Sequence, residues 1–313
     1  MRHRTLVLGG GIAGVAAAVA AAAAGDRVVL HERSAVLGGV AVAARHHTLC
    51  GLFENDAPEP RLLEPGIATS WLPFLGNGPP LRRGRVWLLP CAPQTLCEGL
   101  LRRVQDHGVE LRLSCGEDGD AGFDRVIDAR GGGPIRAVEQ RGAWRSQVRL
   151  GEVTRQELLR RIARIHPGSV AIEALPAGWW QLTIDAPAAD RAAAERLCLG
   201  LGGVEVEHLG FFARDLGGSP GLALAELFAN RGRGLCWCSW PCELHHAQGV
   251  EWIWPPGTRY GVPEQVTRSA ELPRGWRVCG RGLAAQQQAV AALRVTGSAL
   301  MIGQALGSDP WIC

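Results

Sequence analysis

The sequence predicts a three-layer α/β fold, a parallel sheet between helices that binds a dinucleotide, carrying an inserted α+β domain. Three observations lead there. The stretch "TLVLGGGIAGVAAAVAAAAAGDRVVLHE" reads as strand, glycine turn, helix and strand. Further on the texture changes to strands alternating with short helices. Near the end, "AALRVTGSALMIGQALG" has the periodicity of a buried helix. The expected organisation is a nucleotide domain over residues 1–133, an insert over 134–245 and a return to the nucleotide domain over 246–313.

Residues Thr5 to Leu8 form the first strand, and Gly9, Gly11 and Gly14 fall on the G-x-G-x-x-G spacing. The first glycine permits a tight turn, the second lets a pyrophosphate approach the backbone, and the third allows close helix–strand packing. Ile12 and Ala13 open the alanine-rich helix, whose free N–H groups and positive dipole end face the phosphates. Glu32 ends the second strand 18 residues after Gly14, where a carboxylate can accept from ribose hydroxyls and disfavours a 2′-phosphate.

Composition narrows the chemistry. All 33 basic residues are arginine, so no lysine amine is available for a Schiff base or as a catalytic base. A net charge of +3 over 313 residues gives no electrostatic case for nucleic acid. The ten cysteines are irregularly spaced and read as small buried hydrophobes in a reducing, cytoplasmic compartment. The basic, apolar start can pass for a signal peptide or a membrane span. Its ordered glycines and the strand "DRVVLHE" that follows make it part of the fold instead.

After Glu32 comes "RSAVLGGVA". Here the chain resembles FAD-dependent oxidoreductases of the glutathione-reductase-like class, in which an E-R/K-x-x-x-x-G-G stretch wraps the FAD diphosphate. The resemblance places Arg33, Gly38 and Gly39 along that diphosphate. "PQTLCEGLLRRVQDHGVELRLS" looks like the family's helix and strand leading into the second half of the domain. "FDRVIDARGG" is similar to its hydrophobic strand ending in an A-T-G-type turn, which puts Ala129 and Gly131 at the cofactor and Arg130 where threonine is usual. "GWRVCGRGLAAQQQAVAALRVTGSALMIGQALG" looks like the closing strand and terminal helix that hold the flavin. Gly280-Arg281 stands where the family often has G-D on the ribityl chain, and Arg294 adds a positive charge. The resemblance covers residues 1–133 and 270–307 and implies a Rossmann-like FAD-binding domain with FAD as cofactor, without specifying a reaction.

In the middle, "SVAIEALPAGWWQLTIDAP" reads as two strands around a Pro-Ala-Gly turn, "DRAAAERLCLGLG" as a helix and "VEVEHLGFFA" as a strand. No second G-x-G-x-x-G with a following helix occurs, so a dedicated NAD(P)H domain is not expected. Cys236, Cys238, Cys242, His245 and His246 supply metal-ligand residue types. Cys236-Trp237-Cys238 alternates like a strand, however, and lacks C-x(2–4)-C spacing, so buried thiols rather than a metal are expected. Trp237, Trp240, Trp252 and Trp254 read equally as core or as the wall of an aromatic pocket.

"ARHHTLCGLF", residues 44–53, follows the diglycine closely. If Gly38-Gly39 wraps the diphosphate, this stretch runs beside the flavin ring. His47, with His46 behind it, is then the candidate acid/base, and Cys50 completes the candidate catalytic set. Packing, a Cys–His nucleophile pair, a histidyl–flavin bond and a metal site remain as alternatives. The expected function is an FAD-dependent oxidoreductase acting on a small apolar or aromatic substrate, by hydride transfer at flavin N5 or by oxygen activation as a monooxygenase. The alternatives are a flavoprotein that modifies a peptide or protein partner with help from an electron donor, and an NAD-dependent dehydrogenase.

Overall fold

The computed structural model describes residues 3–116, 122–131, 141–166, 170–187, 190–202, 205–213, 220–246, 249–269 and 272–309. It divides into two compact units, one of Met1–Arg136, Gly217–Glu243 and Trp252–Cys313, the other of Ala137–Leu216 and Leu244–Glu251.

In the first unit β1 (Arg4–Leu8) and β2 (Arg27–Glu32) pair in parallel across the helix α1 (Ile12–Ala23), with Leu8 opposite His31. The sheet runs Trp276–Val278, Arg125–Asp128, β1, β2, Glu110–Leu113, and every neighbouring pair is parallel. Leu6, Val7, Leu30 and Ile127 are wholly buried, as strands covered on both faces require. Among the described residues no single helix is long and apolar enough to cross a membrane.

The alanines of α1 let another helix come close. Thr296–Ser308 lies along it, and a Cβ on Gly303 would sit 2.1 Å from the Ala13 carbonyl oxygen, one on Gly307 2.2 Å from that of Ala17. Only glycine allows backbones to approach this far. The same face is pinned by a buried ion pair. Arg125 Nη1 lies 2.9 Å from Asp26 Oδ2, and Nη2 donates to the Asp309 carbonyl at 2.9 Å, just beyond the helix end. Asp26 also accepts from Thr5 Oγ1 at 2.6 Å.

The second unit is α+β. Its antiparallel sheet is ordered Glu205–Ala213, Arg141–Arg149, Trp179–Pro187, Val170–Ala174. The helices Arg155–Ile165 and Arg191–Gly200 place Leu158, Ile162 and Leu197 in one core with Val148, Leu182 and Ile184. Thr154 caps the first of them, its hydroxyl accepting from the Glu157 N–H. The expected turn between two strands is present, with Ala177 and Gly178 both at positive φ.

One boundary differs from expectation. Residues 217–243, expected within the insert over 134–245, belong to the nucleotide unit, and 244–251 to the other. Backbone pairing explains it: Gln286 N–H donates to the Leu222 carbonyl, Leu235 N–H to that of Val262, and Trp237–Cys238 pairs with Tyr260–Gly261.

Candidate functional site

The glycine turn divides its glycines by what surrounds them. Gly9 has φ +103, and a Cβ there would meet the Ala129 carbonyl at 2.8 Å; one on Gly14 would lie 1.9 Å from the Gly9 oxygen. A Cβ added to Gly11 would meet nothing within 4 Å, and no side chain caps α1. With no side-chain cap, the first N–H groups of α1 remain for a ligand beside the open Gly11 position, an arrangement suited to a pyrophosphate.

Gly38 and Gly39 close over this turn. Gly38, at φ +107, precedes the short helix α2 (Gly39–Ala43), and its N–H donates to the Gly10 carbonyl at 2.8 Å. A Cβ on Gly39 would come within 3.1 Å of the Gly11 Cα. Glu32 fastens the same place from below. It is buried, with Oε2 accepting the Gly10 N–H at 2.6 Å and Oε1 the Ser34 N–H at 2.7 Å. Glu32→Ala is expected to lower apo stability by about 1–3 kcal/mol, because the buried Gly10 N–H and the Ser34 N–H lose their acceptor. Thermal denaturation without cofactor checks this.

Positive charge gathers on one side. Arg281 is half-buried beside Gly131, a Cβ on which would lie 3.1 Å from its Nε. Burial first, then the charges of Arg294 and Arg33, hold the Arg281 guanidinium below its ordinary pKa. Arg33 is exposed, and Arg294 donates from Nη2 to the Glu243 carbonyl at 3.4 Å. The buried Arg294 Nε has no hydrogen-bond partner among the described residues. Three neighbouring guanidiniums suit a polyanion. Gly280, at φ +68, leads into Arg281. Arg130, in contrast, is committed to Asp128, which it grips through both Nε and Nη2.

The stretch 44–53 runs from the diglycine to the start of the terminal helix. Cys91 donates its N–H to the His47 carbonyl and its thiol to that of His46, so both half-buried histidines sit on fixed backbone. Cys50 N–H donates to Thr296 Oγ1 at 3.0 Å, while the Cys50 carbonyl accepts the Gly297 N–H at 2.7 Å. A Cβ on Gly297 would lie 2.6 Å from that carbonyl oxygen, so glycine is required for the contact.

The Cys50 thiol is pushed up to about 11, by desolvation and then by Glu243, against lowering contributions from Thr296 and Arg294. It is protonated at neutral pH. Between the ordinary value of 9.0 and about 11 the native state keeps a proton that the unfolded chain has lost. Stability therefore falls as pH rises through this window. Cys50→Ala is expected to make that decline shallower, as measured by urea midpoints on either side of it.

Cys236, Cys238 and Cys242 are buried. The neighbouring Cys238 thiol and burial hold the Cys236 thiol well above its ordinary value. No group of three His, Cys, Asp or Glu side chains is arranged for a metal among the described residues, and the side chains of His245 and His246 lie outside them. A cleft of about 310 Å³ lies along the later part of the terminal helix, lined by Glu64, Arg233, Cys236, Met301 and Gln304. It includes none of the candidate cofactor-binding or catalytic residues.

The family model described as FAD dependent oxidoreductase matches residues 5–114 and 228–309. The chain belongs to this family. The cofactor of this FAD-dependent oxidoreductase is FAD, and the cradle fits it, with open space at Gly11, closed contacts at Gly9 and Gly14, and guanidiniums on one side. The match resumes at residue 228, inside the stretch that packs with the nucleotide unit.

No curated protein sequence gives a significant match to this oxidoreductase. Among solved structures it is similar to the anhydrotetracycline hydroxylase OxyS from Streptomyces rimosus, at 16% identity and a TM-score of 0.48, covering 93% of this chain and 59% of that one. It is also similar to a tetrameric 2-methyl-3-hydroxypyridine-5-carboxylic acid oxygenase, at 16% identity and a TM-score of 0.43, covering 91% of this chain and 76% of that one. BexE, studied for oxidation during BE-7585A biosynthesis, gives 15% identity and a TM-score of 0.44, covering 93% of this chain and 60% of that one. The oxidoreductase thus spans less than two thirds of OxyS and of BexE.

Proposed function

We propose that this FAD-dependent oxidoreductase acts on a small apolar or aromatic molecule. One observation carries the reading. Trp252, 41% exposed, lies between Trp240 and Trp254, with ring centroids 6.1 Å apart on each side. Trp240 Nε1 reaches Glu243, whose carbonyl accepts from Arg294, next to the start of the terminal helix. An exposed indole face at that end of the nucleotide unit suits an aromatic or apolar ligand, because burial of its surface and ring stacking both favour binding.

Bound FAD supplies a two-electron acceptor at N5 and, once reduced, reactivity toward oxygen. The chain supplies position and protons. Gly9, Gly11, Ile12, Ala13, Gly14, Glu32, Arg33, Gly38, Gly39, Ala129, Gly131, Gly280, Arg281 and Arg294 form the proposed cofactor cradle. His47 is the proposed proton carrier, with His46 as its neighbour and Cys50 contributing a neutral thiol. Imidazole is the side chain suited to proton exchange at neutral pH, whereas the Cys50 thiol stays protonated.

The test is an absorption spectrum before and after acid precipitation, followed by oxygen-uptake assays with a panel of small aromatic and polar compounds. A flavin band with uptake driven by the aromatic members supports the reading. Turnover confined to polar members would falsify it. His47→Gln is expected to keep the flavin band and to lower kcat by about 10²–10⁴-fold, the usual worth of positioned proton transfer. Full activity in that variant reduces His47 to packing.

A further inference from the structure

We infer that Cys236, Cys238 and Met301 form a binding site for a soft monovalent metal ion, copper(I), at the inner wall of the cleft beside the terminal helix. The site is separate from the proposed FAD cradle and needs no flavin to take its ion.

Two features bring the three sulfurs together. The first is an extended stretch held by backbone pairing, in which the Val262 N–H donates to the Cys236 carbonyl at 3.0 Å and Cys238 lies opposite Tyr260. Residues two apart on such a stretch point to the same face. The Cys236 and Cys238 thiols accordingly hydrogen-bond each other. The second feature is the cleft itself, which Met301 of the terminal helix lines together with Cys236. All three residues are buried, and neither cysteine is in a disulfide.

The oxygens around this place are engaged elsewhere. Glu64 takes Nε and Nη2 of Arg233 at 3.2 and 2.9 Å, and the Trp237 N–H at 3.0 Å. Gln304 Oε1 accepts from Trp71 Nε1 at 2.7 Å, and the Tyr260 O–H donates to the Trp240 carbonyl at 2.8 Å. Ser308 and Asp309 follow Met301 by about two helical turns, roughly 10–12 Å along the axis. Sulfur is what remains to hold an ion. Zinc needs a closed tetrahedral set. Among the described residues no group of three His, Cys, Asp or Glu side chains supplies the start of one. Thiolate and thioether ligands together select copper(I), which accepts fewer partners. Met301 is the neutral third sulfur.

Binding forms two copper–thiolate bonds and breaks two S–H bonds. Both protons pass to water, Met301 shares a lone pair, and no electron is transferred. Arg233 and Glu64 are paired beside Cys236 and their charges oppose each other there. The copper ion therefore supplies the positive charge that lets the buried thiols ionise.

Anaerobic titration of the full chain with copper(I), presented as its bicinchoninate complex, tests the site. X-ray absorption at the copper edge is the second readout. The chain should take one equivalent of copper from the coloured complex and show only sulfur neighbours. Cys236→Ala and Cys238→Ala should each lose that equivalent. Met301→Leu should hold it more weakly and shorten the mean copper–sulfur distance, because an ion with fewer ligands draws them closer. Cys97→Ala and Cys115→Ala remove half-buried thiols elsewhere and should match wild type. The site is overturned if wild type leaves the copper with bicinchoninate, or if nitrogen or oxygen neighbours surround the bound metal. It is equally overturned if Cys236→Ala or Cys238→Ala keeps the equivalent, or if Cys97→Ala or Cys115→Ala loses it. Should a buried-cysteine variant fail to fold, the wild-type spectrum and Met301→Leu decide, and an unchanged copper–sulfur distance in Met301→Leu overturns the site.

Discussion

Arg125→Ala is expected to lower stability by about 3–5 kcal/mol, the usual cost of removing one member of a buried ion pair. Arg125 and Asp26 are 3% and 6% exposed, so neither charge can turn to water when its partner goes. In the variant Asp26 keeps the Thr5 hydroxyl, and the carbonyls of Leu306 and Asp309 lose a donor. The double change Arg125→Met with Asp26→Leu removes both charges and should recover most of the loss. Urea unfolding followed by circular dichroism measures both. A loss of under about 1 kcal/mol in the single variant, the size typical of ordinary surface changes, would show that the pair does not hold the sheet to the helix end.

Gly303→Ala should have the second large effect, on cofactor binding as well as stability. Its Cβ would lie 2.1 Å from the Ala13 carbonyl oxygen, a backbone atom that no rotamer change can move. The helices must separate, at about 1–3 kcal/mol or more for overpacking of this kind. α1 begins at the Gly11 turn, and the other helix begins where Cys50 meets Thr296 and Gly297. Separation therefore misaligns two parts of the proposed FAD cradle, and flavin fluorescence titration should show weaker binding. Gly66→Ala is the control, since nothing lies within 4 Å of the added carbon. Equal behaviour of the two variants would show that the helix contact does not set the cradle.

The nucleotide turn was legible because its requirements are local. Gly9, Gly11 and Gly14 are spaced by the geometry of one turn, and the flanking hydrophobic periods name the strand and helix. The diglycine at 38–39 was equally readable, as were the strands on either side of Gly178. What local pattern cannot express is a partner far away in sequence. Glu32 was expected to face a ribose, yet both its oxygens also accept backbone N–H groups of Gly10 and Ser34. Arg125 and Asp26 are 99 positions apart, and nothing around either announces an ion pair. The close approach at Gly303 and Gly307 is visible only once α1 lies opposite. The stretch 217–243 follows the expected insert directly in sequence, whereas its pairing partners lie at 260–262 and 285–286. For Cys50 the residue type suggested reactivity, and only its surroundings show a thiol that holds its proton.

The contact between α1 and Thr296–Ser308 also bears on the order in which the molecule is made. Its two halves are separated by almost the whole intervening chain, whereas the four-stranded sheet of the second unit is assembled from 141–213 alone. Sheets made from neighbouring segments close small loops and form early, while a contact joining distant segments waits for the whole loop to close. During synthesis the second unit can mature first. Meanwhile the alanine face of α1 and the glycine turn stay uncovered until residue 296 and beyond have emerged. That interval is when the unfinished chain is most exposed to aggregation and most dependent on chaperones.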